Sequence, residues 1–159
     1  MASVATYEDA NLILRLFELR REEQMRRARA WFLNSFKATT LDEYQALCPP
    51  GSDQDAYFRM LVTYWDMAAS FVTSGVLHQD LFLESATELL YVWEKMKFLV
   101  PAWREFMGNP KFLSSLETVA QAAVNRMNRA DPNAHATWLA NMARRSAATA
   151  AAHDSGQSR

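Results

Sequence analysis

The sequence is poor in glycine, proline and cysteine, and its basic and acidic residues nearly balance. Its 159 residues include four glycines, five prolines and one cysteine, Cys48. A single cysteine forms no internal disulfide, and scarcity of glycine and proline favours helix. Seventeen basic residues against 18 acidic ones leave a net charge of −1. This balance lacks the strong basic excess of nucleic-acid-binding domains, so we expect no nucleic-acid partner.

Long hydrophobic runs are also missing. The most apolar stretch, residues 60–77, is interrupted by Asp66 and several hydroxyl side chains. The N-terminal sequence MASVATYED is acidic and lacks the basic and then apolar segments of a signal peptide. We therefore expect no transmembrane segment and a cytoplasmic location, where Cys48 stays reduced.

The residue patterns of common active sites and metal sites are absent as well. The three histidines are His78, His135 and His153, and none lies three positions after an acid, as a di-metal carboxylate bundle requires. No glycine-rich phosphate loop and no GxSxG sequence occurs. We predict no catalytic residues, no metal ligands and no cofactor, and the sequence favours a protein that is not an enzyme.

What the sequence does have is helical periodicity. Half of its residues are hydrophobic, and apolar residues recur at spacings of three and four along most of the chain. The first such segment runs from Tyr7 to about Phe36 without a helix breaker, which predicts one long N-terminal helix with a solvated middle. Gly75 predicts a helix stop, and Asn109 and Asp131, each followed by proline, predict helix starts.

These signals predict an all-α fold, an antiparallel bundle of four to five main helices with a long N-terminal helix. We expect the bundle domain to comprise residues 1–130. Residues 131–145 form a weaker C-terminal helix, and residues 146–159 form a disordered low-complexity tail. Charge is uneven along the chain, with a net +2 over residues 1–40, −6 over 41–103 and +3 over 104–159. The acidic middle and the basic ends are able to attract each other within one molecule or between copies.

Four stretches of the sequence resemble a family of small helical bacterial proteins classed as a domain of unknown function. They are ANLILRLFELRREEQMRRARAWF, YWDMAASFVTSGVLHQDLF, VWEKMKFLVPAWRE and NPKFLSSLE, which occur in this order over about residues 10–120. The positions that carry the pattern are Trp65, Asp66, Gly75, Leu77, Asp80, Trp93, Glu94, Pro101 and Arg104. The resemblance implies a helical fold and a bacterial source, and it implies no established activity.

Two tryptophan–acid pairs form the candidate polar site. Trp65-Asp66 and Trp93-Glu94 lie on two predicted neighbouring helices, and Arg104 follows. Two carboxylates close together beside apolar walls would have their pKa values split, or Arg104 would instead hold one of them ionised. This arrangement predicts a small-molecule-binding or catalytic pocket. The alternative, which we favour, is a structural role for both acids in ion pairs or in a polar network.

The arginine-rich run RREEQMRRAR, residues 20–29, is the candidate interaction surface. Its members are Arg20, Arg21, Met25, Arg26 and Arg27. Glu22–Arg26 and Glu23–Arg27 are spaced four apart in the order that stabilises a helix. The run is thus a solvated helix face, a protein-docking surface or a contact for anionic lipid or nucleic acid.

The function that the sequence favours is a non-enzymatic protein-interaction or scaffolding module. We expect it to bind a protein partner or to self-associate through exposed parts of the first helix. The alternatives are the pocket around the two tryptophan–acid pairs and peripheral membrane association through the arginine-rich run.

Overall fold

The protein is all-helical over the part of the chain that the structure describes. The computed structural model describes residues 4–156, without the side chains of residues 150 and 153–156, and it has no strand within that range. The helices form a bundle, which confirms the predicted fold class. They are α1 (Tyr7–Leu19), α2 (Glu23–Ser35), α3 (Leu41–Leu47), α4 (Asp53–Thr73), α5 (Gln79–Ser85), α6 (Thr87–Met96), α7 (Val100–Phe106), α8 (Ser114–Ala130) and α9 (Ala134–Gly156), with a 3₁₀ turn at Lys97–Leu99.

The N-terminal segment departs from the prediction, because two helices replace the single long one. The backbone of Glu22 leaves the helical conformation, and its carboxylate accepts a hydrogen bond of 3.0 Å from the Met25 amide, so Glu22 caps α2. At the end of α1, the Tyr64 hydroxyl donates to the Leu16 carbonyl at 2.6 Å. Beyond the break, Met25 on α2 is buried.

The end of α4 follows the sequence closely. Gly75 adopts a left-handed conformation with φ of 76°. Its amide donates to the Val72 carbonyl, and the Val76 amide donates to the Phe71 carbonyl. These two bonds are the Schellman arrangement that ends many helices. The hydrophobic contact comes from Leu77, which is buried, while Val76 remains exposed.

The segment between Gln79 and Phe106 is also divided into short helices. Ala86 separates α5 from α6 with a non-helical backbone. Further on, the chain tightens into the 3₁₀ turn Lys97–Leu99 before α7. Pro101 explains the second change, because proline has no amide hydrogen and its ring clashes with the carbonyl four residues earlier.

The two predicted proline-linked helix starts are displaced by a few residues. Asn109 accepts a hydrogen bond from the Lys111 amide in a turn, and α8 begins only at Ser114. Asp131 accepts from the Asn133 amide, and α9 begins at Ala134. The backbone of α9 stays helical across residue 145 and through Gly156. The three-part domain division stays a prediction, and its last three residues lie outside the described range.

The core is built mainly from α2, α4, α6 and α8. Helix α4 packs against both α2 and α8. It buries Phe58, Leu61, Val62, Tyr64, Trp65, Ala68, Ala69 and Val72. The ring of Phe32 on α2 stacks at 4.8 Å on the ring of Phe36, the residue after α2, and the Phe36 ring lies 5.1 Å from the Phe58 ring. Among the described residues, no helix is long and apolar enough to cross a membrane.

Candidate functional site

Asp66 acts as a helix cap supplied from a distant part of the chain. Its Oδ1 accepts a hydrogen bond of 3.0 Å from the amide of Leu116, in the first turn of α8. The residue at the N-cap position itself is Leu113, which offers no side-chain acceptor and has a left-handed backbone with φ of 58°. Helix N-termini carry unpaired amides and partial positive charge, so a carboxylate stabilises them. Asp66 thus has a structural partner.

Arg104 lies at the same end of α8 as Asp66, but it has different partners. Its Nε donates to the Phe112 carbonyl at 3.0 Å, and its guanidinium pairs with Glu117 at 2.6 Å. The arginine therefore ties α7 to the turn before α8 and to the first turns of α8. It forms no ion pair with Asp66 or Glu94 among the described residues.

Glu94 lies near the opposite end of α8. Its carboxylate pairs with Lys97 at 2.7 Å and lies 3.3 Å from Nε2 of His135, the second residue of α9. The His135 amide donates to the Asn128 side chain near the end of α8. The 14 positions from Leu116 to the end of α8 span about 20 Å at 1.5 Å per residue. The two carboxylates of the predicted polar site are therefore not in one pocket.

The two tryptophans of the predicted site pack in or against the hydrophobic core. Trp65 is buried, and the Arg20 guanidinium lies 5.2 Å from the centre of its ring. Trp93 is partly buried against the core. The structure brings Asp66 and Arg104 to one end of α8, and it places Glu94 at the other.

Only part of the predicted arginine-rich surface is free to contact a partner. Met25 is buried, and Arg27 pairs with Glu23 within α2. The guanidinium groups of Arg20 and Arg21 lie 4.9 and 5.3 Å from the centre of the Phe17 ring, within the range of cation–π interaction. Arg26 is exposed. These contacts hold several of the charges against the protein's own helices.

Arg29 forms an ion pair that the sequence does not predict. Its guanidinium binds the Glu88 carboxylate through two nitrogens, at 2.8 Å from Nε to Oε1 and 2.6 Å from Nη2 to Oε2. Both side chains are largely buried, and the bond to Glu88 raises the pKa of Arg29. The pair joins α2 to α6 across 59 residues of sequence. Because the two residues are so far apart in the sequence, no local sequence pattern predicts this ion pair.

Lys95 is a largely buried amine with no carboxylate partner among the described residues. Its Nζ donates to the Phe32 carbonyl at 3.1 Å and lies between 5.1 and 5.7 Å from the ring centres of Phe32, Phe36 and Tyr91. Phe32 lies in the last turn of α2, where carbonyls lack helix partners, so Lys95 caps that end. Burial lowers the pKa of Lys95 to about 8, and Lys37 adds to the effect.

The outer face of α1 is an exposed apolar ridge. We define the α1 ridge as Tyr7, Leu14 and Phe17, whose side chains are 76%, 61% and 46% exposed. Their spacing of seven and three places them on one side of the helix. The opposite side carries Leu16, which is buried. Helix α1 is thus apolar on two faces, and the described part of the chain covers only one of them.

A concave apolar surface lies on a different part of the molecule. We call it the aromatic groove, with a volume of about 330 Å³. It is lined by Tyr44, Phe58, Arg59, Val62, Thr63, Trp103, Phe106, Met107 and Phe112. Phe106 is 86% exposed at its rim, whereas Phe58 and Tyr44 belong to the core. The Trp103 ring lies 5.4 Å from the Phe58 ring and 5.5 Å from the Tyr44 ring, in edge-to-face contact.

Two further candidates for chemistry are the single thiol and the side chains that commonly bind metal ions. Burial raises the pKa of the Cys48 thiol to about 11, which disfavours the reactive thiolate. Within the described part of the chain, no group of three or more histidine, cysteine, aspartate or glutamate side chains is arranged to hold a metal ion. The α1 ridge and the aromatic groove are therefore the two apolar surfaces that we consider as binding surfaces. The sequence predicted exposed parts of the first helix, but it did not predict the groove.

Comparison with known proteins supports the family resemblance. No curated protein and no solved structure matches the chain. The sequence of residues 5–123 matches the family described as Domain of unknown function (DUF4760). The matched region runs from the residue before the Thr6 cap into α8, so it contains the α1 ridge, Asp66, Glu94, Arg104 and the aromatic groove. The chain therefore belongs to the DUF4760 family.

Proposed function

We propose that this protein is a non-catalytic interaction module that self-associates through the α1 ridge. The observation that carries the proposal is an amphipathic helix whose second apolar face is uncovered. Monomeric proteins rarely leave large contiguous apolar surface exposed, and such surfaces commonly mark sites of association. The separate locations of Asp66 and Glu94 give less support to the alternative of a shared catalytic or binding pocket.

The proposal also covers the source of the protein and its location in the cell. We propose a bacterial protein that works in the cytoplasm, in keeping with the family resemblance and with a single buried thiol. Peripheral membrane association remains an alternative with less support, because Arg20 and Arg21 stack on Phe17 and Arg27 pairs with Glu23. Binding to anionic vesicles at low salt would raise that alternative above the present proposal.

The test is the mass of the full chain in solution, measured by light scattering over a wide range of concentration. We expect the average mass of the wild type to rise with concentration, and Leu14→Glu to stay monomeric, because a carboxylate on the ridge opposes burial. Leu19→Glu is the matched control, since Leu19 is an exposed leucine on the same helix but about 160° around it from the ridge. A wild type that stays monomeric at every concentration would refute self-association.

A further inference from the structure

Helix α9 is long, but it lies on the surface of the bundle. It packs against α8 and α2, yet none of the α9 side chains that the structure describes is buried. The shorter α8, by contrast, buries Leu116, Val119 and Ala120. Burial of apolar surface is the main force that holds helices together, so α9 is bound to the bundle less tightly than α8. Helix α9 also lies beyond the matched family region, which ends within α8 at residue 123.

Two side chains of α6, Tyr91 and Glu94, hold α9 in place. The Tyr91 ring meets the Trp138 ring edge to face at 6.4 Å, and the Tyr91 hydroxyl lies 3.1 Å from the Ser146 hydroxyl. The Glu94 carboxylate lies 3.3 Å from Nε2 of His135 at the start of α9. These are separate polar and aromatic contacts, and they do not form the continuous apolar seam that joins α4 to its neighbours.

The space beside these contacts is not filled. Trp138 lines a cavity of about 430 Å³ together with apolar residues of α5, α6 and α8, which we call the apolar wall and define as Leu83, Leu90, Ala123 and Met127. A second cavity, of about 240 Å³, is lined by residues of α2, α6 and α9. Protein interiors are normally close-packed, and the side chains around a cavity lose dispersion contacts. The two cavities therefore weaken the attachment of α9.

Helix α9 does not depend on the bundle for its helical conformation. Nine of its 23 residues are alanine, which has the highest helix propensity of all residues. A helix of this length and composition forms largely from local interactions, whereas shorter isolated helices are marginal in water. When its contacts with α6 break, α9 is thus able to move away as one helical unit.

We infer that α9 is a detachable strap, which leaves α6 and α8 as a helix while the rest of the bundle stays folded. The attached strap covers the apolar wall, and detachment exposes it. The strap therefore controls whether this wall is available at the surface. The inference goes beyond the proposed function and does not rest on it, because α1 packs against α5, whereas α9 packs against α8 and α2.

The experiment measures distances between two spin labels on the full chain by pulsed electron paramagnetic resonance. The strap pair carries its labels at Arg144→Cys on α9 and Thr118→Cys on α8, both at exposed positions. The bundle pair combines Thr118→Cys with Thr63→Cys, at an exposed position on α4, and reports whether the bundle itself stays folded. Cys48 is buried and stays unlabelled.

The variant that tests the strap is Tyr91→Ala. It removes both the contact with the Trp138 ring and the hydrogen bond with Ser146, so we expect the ratio of detached to attached α9 to rise about tenfold. Tyr57→Ala is the matched control, because Tyr57 is also a half-buried tyrosine but its ring meets Trp31. The control should leave the strap distance unchanged, and the bundle distance should stay the same in both variants.

The inference is overturned if the strap distance in Tyr91→Ala equals that of the wild type. An equal shift in Tyr57→Ala would also overturn it, since the loss of any half-buried tyrosine would then loosen α9. Circular dichroism separates a strap from a segment that unravels. A loss of helix that grows with the longer distances would show that α9 unfolds, which contradicts the inference, whereas longer distances at unchanged helix content in Tyr91→Ala alone would support it.

Discussion

Helices α1 and α4 begin with the same kind of cap, but α4 is buried in the core and α1 lies at the surface. Each opens with a hydroxyl cap, Thr6 for α1 and Ser52 for α4, and each carries acids in its first turn. Helix α4 buries eight residues, whereas α1 buries only Asp9 and Leu16. A local helix signal is thus equally clear in a core helix and in a peripheral one. The difference lies in how many apolar faces the neighbouring helices cover.

The largest expected contrast between the two helices comes from removing one phenylalanine from each. Phe58→Ala should lower the free energy of unfolding by about 3–5 kcal/mol, because Phe58 is fully buried among aromatic rings. Phe17→Ala should lower it by less than about 1 kcal/mol, since Phe17 is nearly half exposed. Urea denaturation measures both. A similar loss for the two variants would show that α1 is packed as firmly as α4.

A smaller contrast concerns how the helix starts are capped. Asp66→Ala should destabilise the protein by about 1–2 kcal/mol, because it leaves the Leu116 amide of α8 without its acceptor. Asp66→Asn keeps an acceptor oxygen and serves as the control, with a smaller loss. Hydrogen exchange of the Leu116 amide should speed up in Asp66→Ala. Unchanged exchange there would mean that Asp66 is not the cap of α8.

The last expected effect, which develops only above about pH 8, is a pH dependence from Lys95. Its pKa is about 8 in the folded protein and 10.5 in an ordinary lysine. Between these values the unfolded chain holds more protons than the folded protein, so the free energy of unfolding rises with pH from about 8 upwards. Below that pH both states are protonated, and this group adds no pH dependence. The Lys95→Met variant should lack the rise.

The measurement of the Lys95 effect is limited by Cys48. The pKa of that thiol rises from 9.0 to about 11 on folding, so it contributes stability that is lost as the pH increases through this range. Urea denaturation from neutral pH to pH 9 therefore isolates the amine. An equal slope for the wild type and Lys95→Met in that window would contradict the assignment.

The predictions from sequence succeeded where the deciding contacts are local. The Gly75 stop is an example, because its two hydrogen bonds and its left-handed backbone involve residues within a few positions. The prediction of one long N-terminal helix was wrong: the backbone leaves the helical conformation at Glu22, and the end of α1 is bonded at Leu16 by Tyr64, a residue 48 positions away. The relative placement of the candidate polar residues could not be predicted for a related reason. The periodicity placed Asp66 and Glu94 on helices, but it did not show which part of α8 each would meet.

By itself, the sequence determined an all-helical bundle, because apolar spacing and scarce helix breakers act within each segment. It also determined the helix stop at Gly75. Only the tertiary structure decided that Asp66 caps α8, that Arg29 pairs with Glu88, and that the α1 ridge and the aromatic groove stay uncovered. Those features depend on which surfaces of the different helices meet. Burial and pairing are properties of the whole packed molecule, and no single segment contains them.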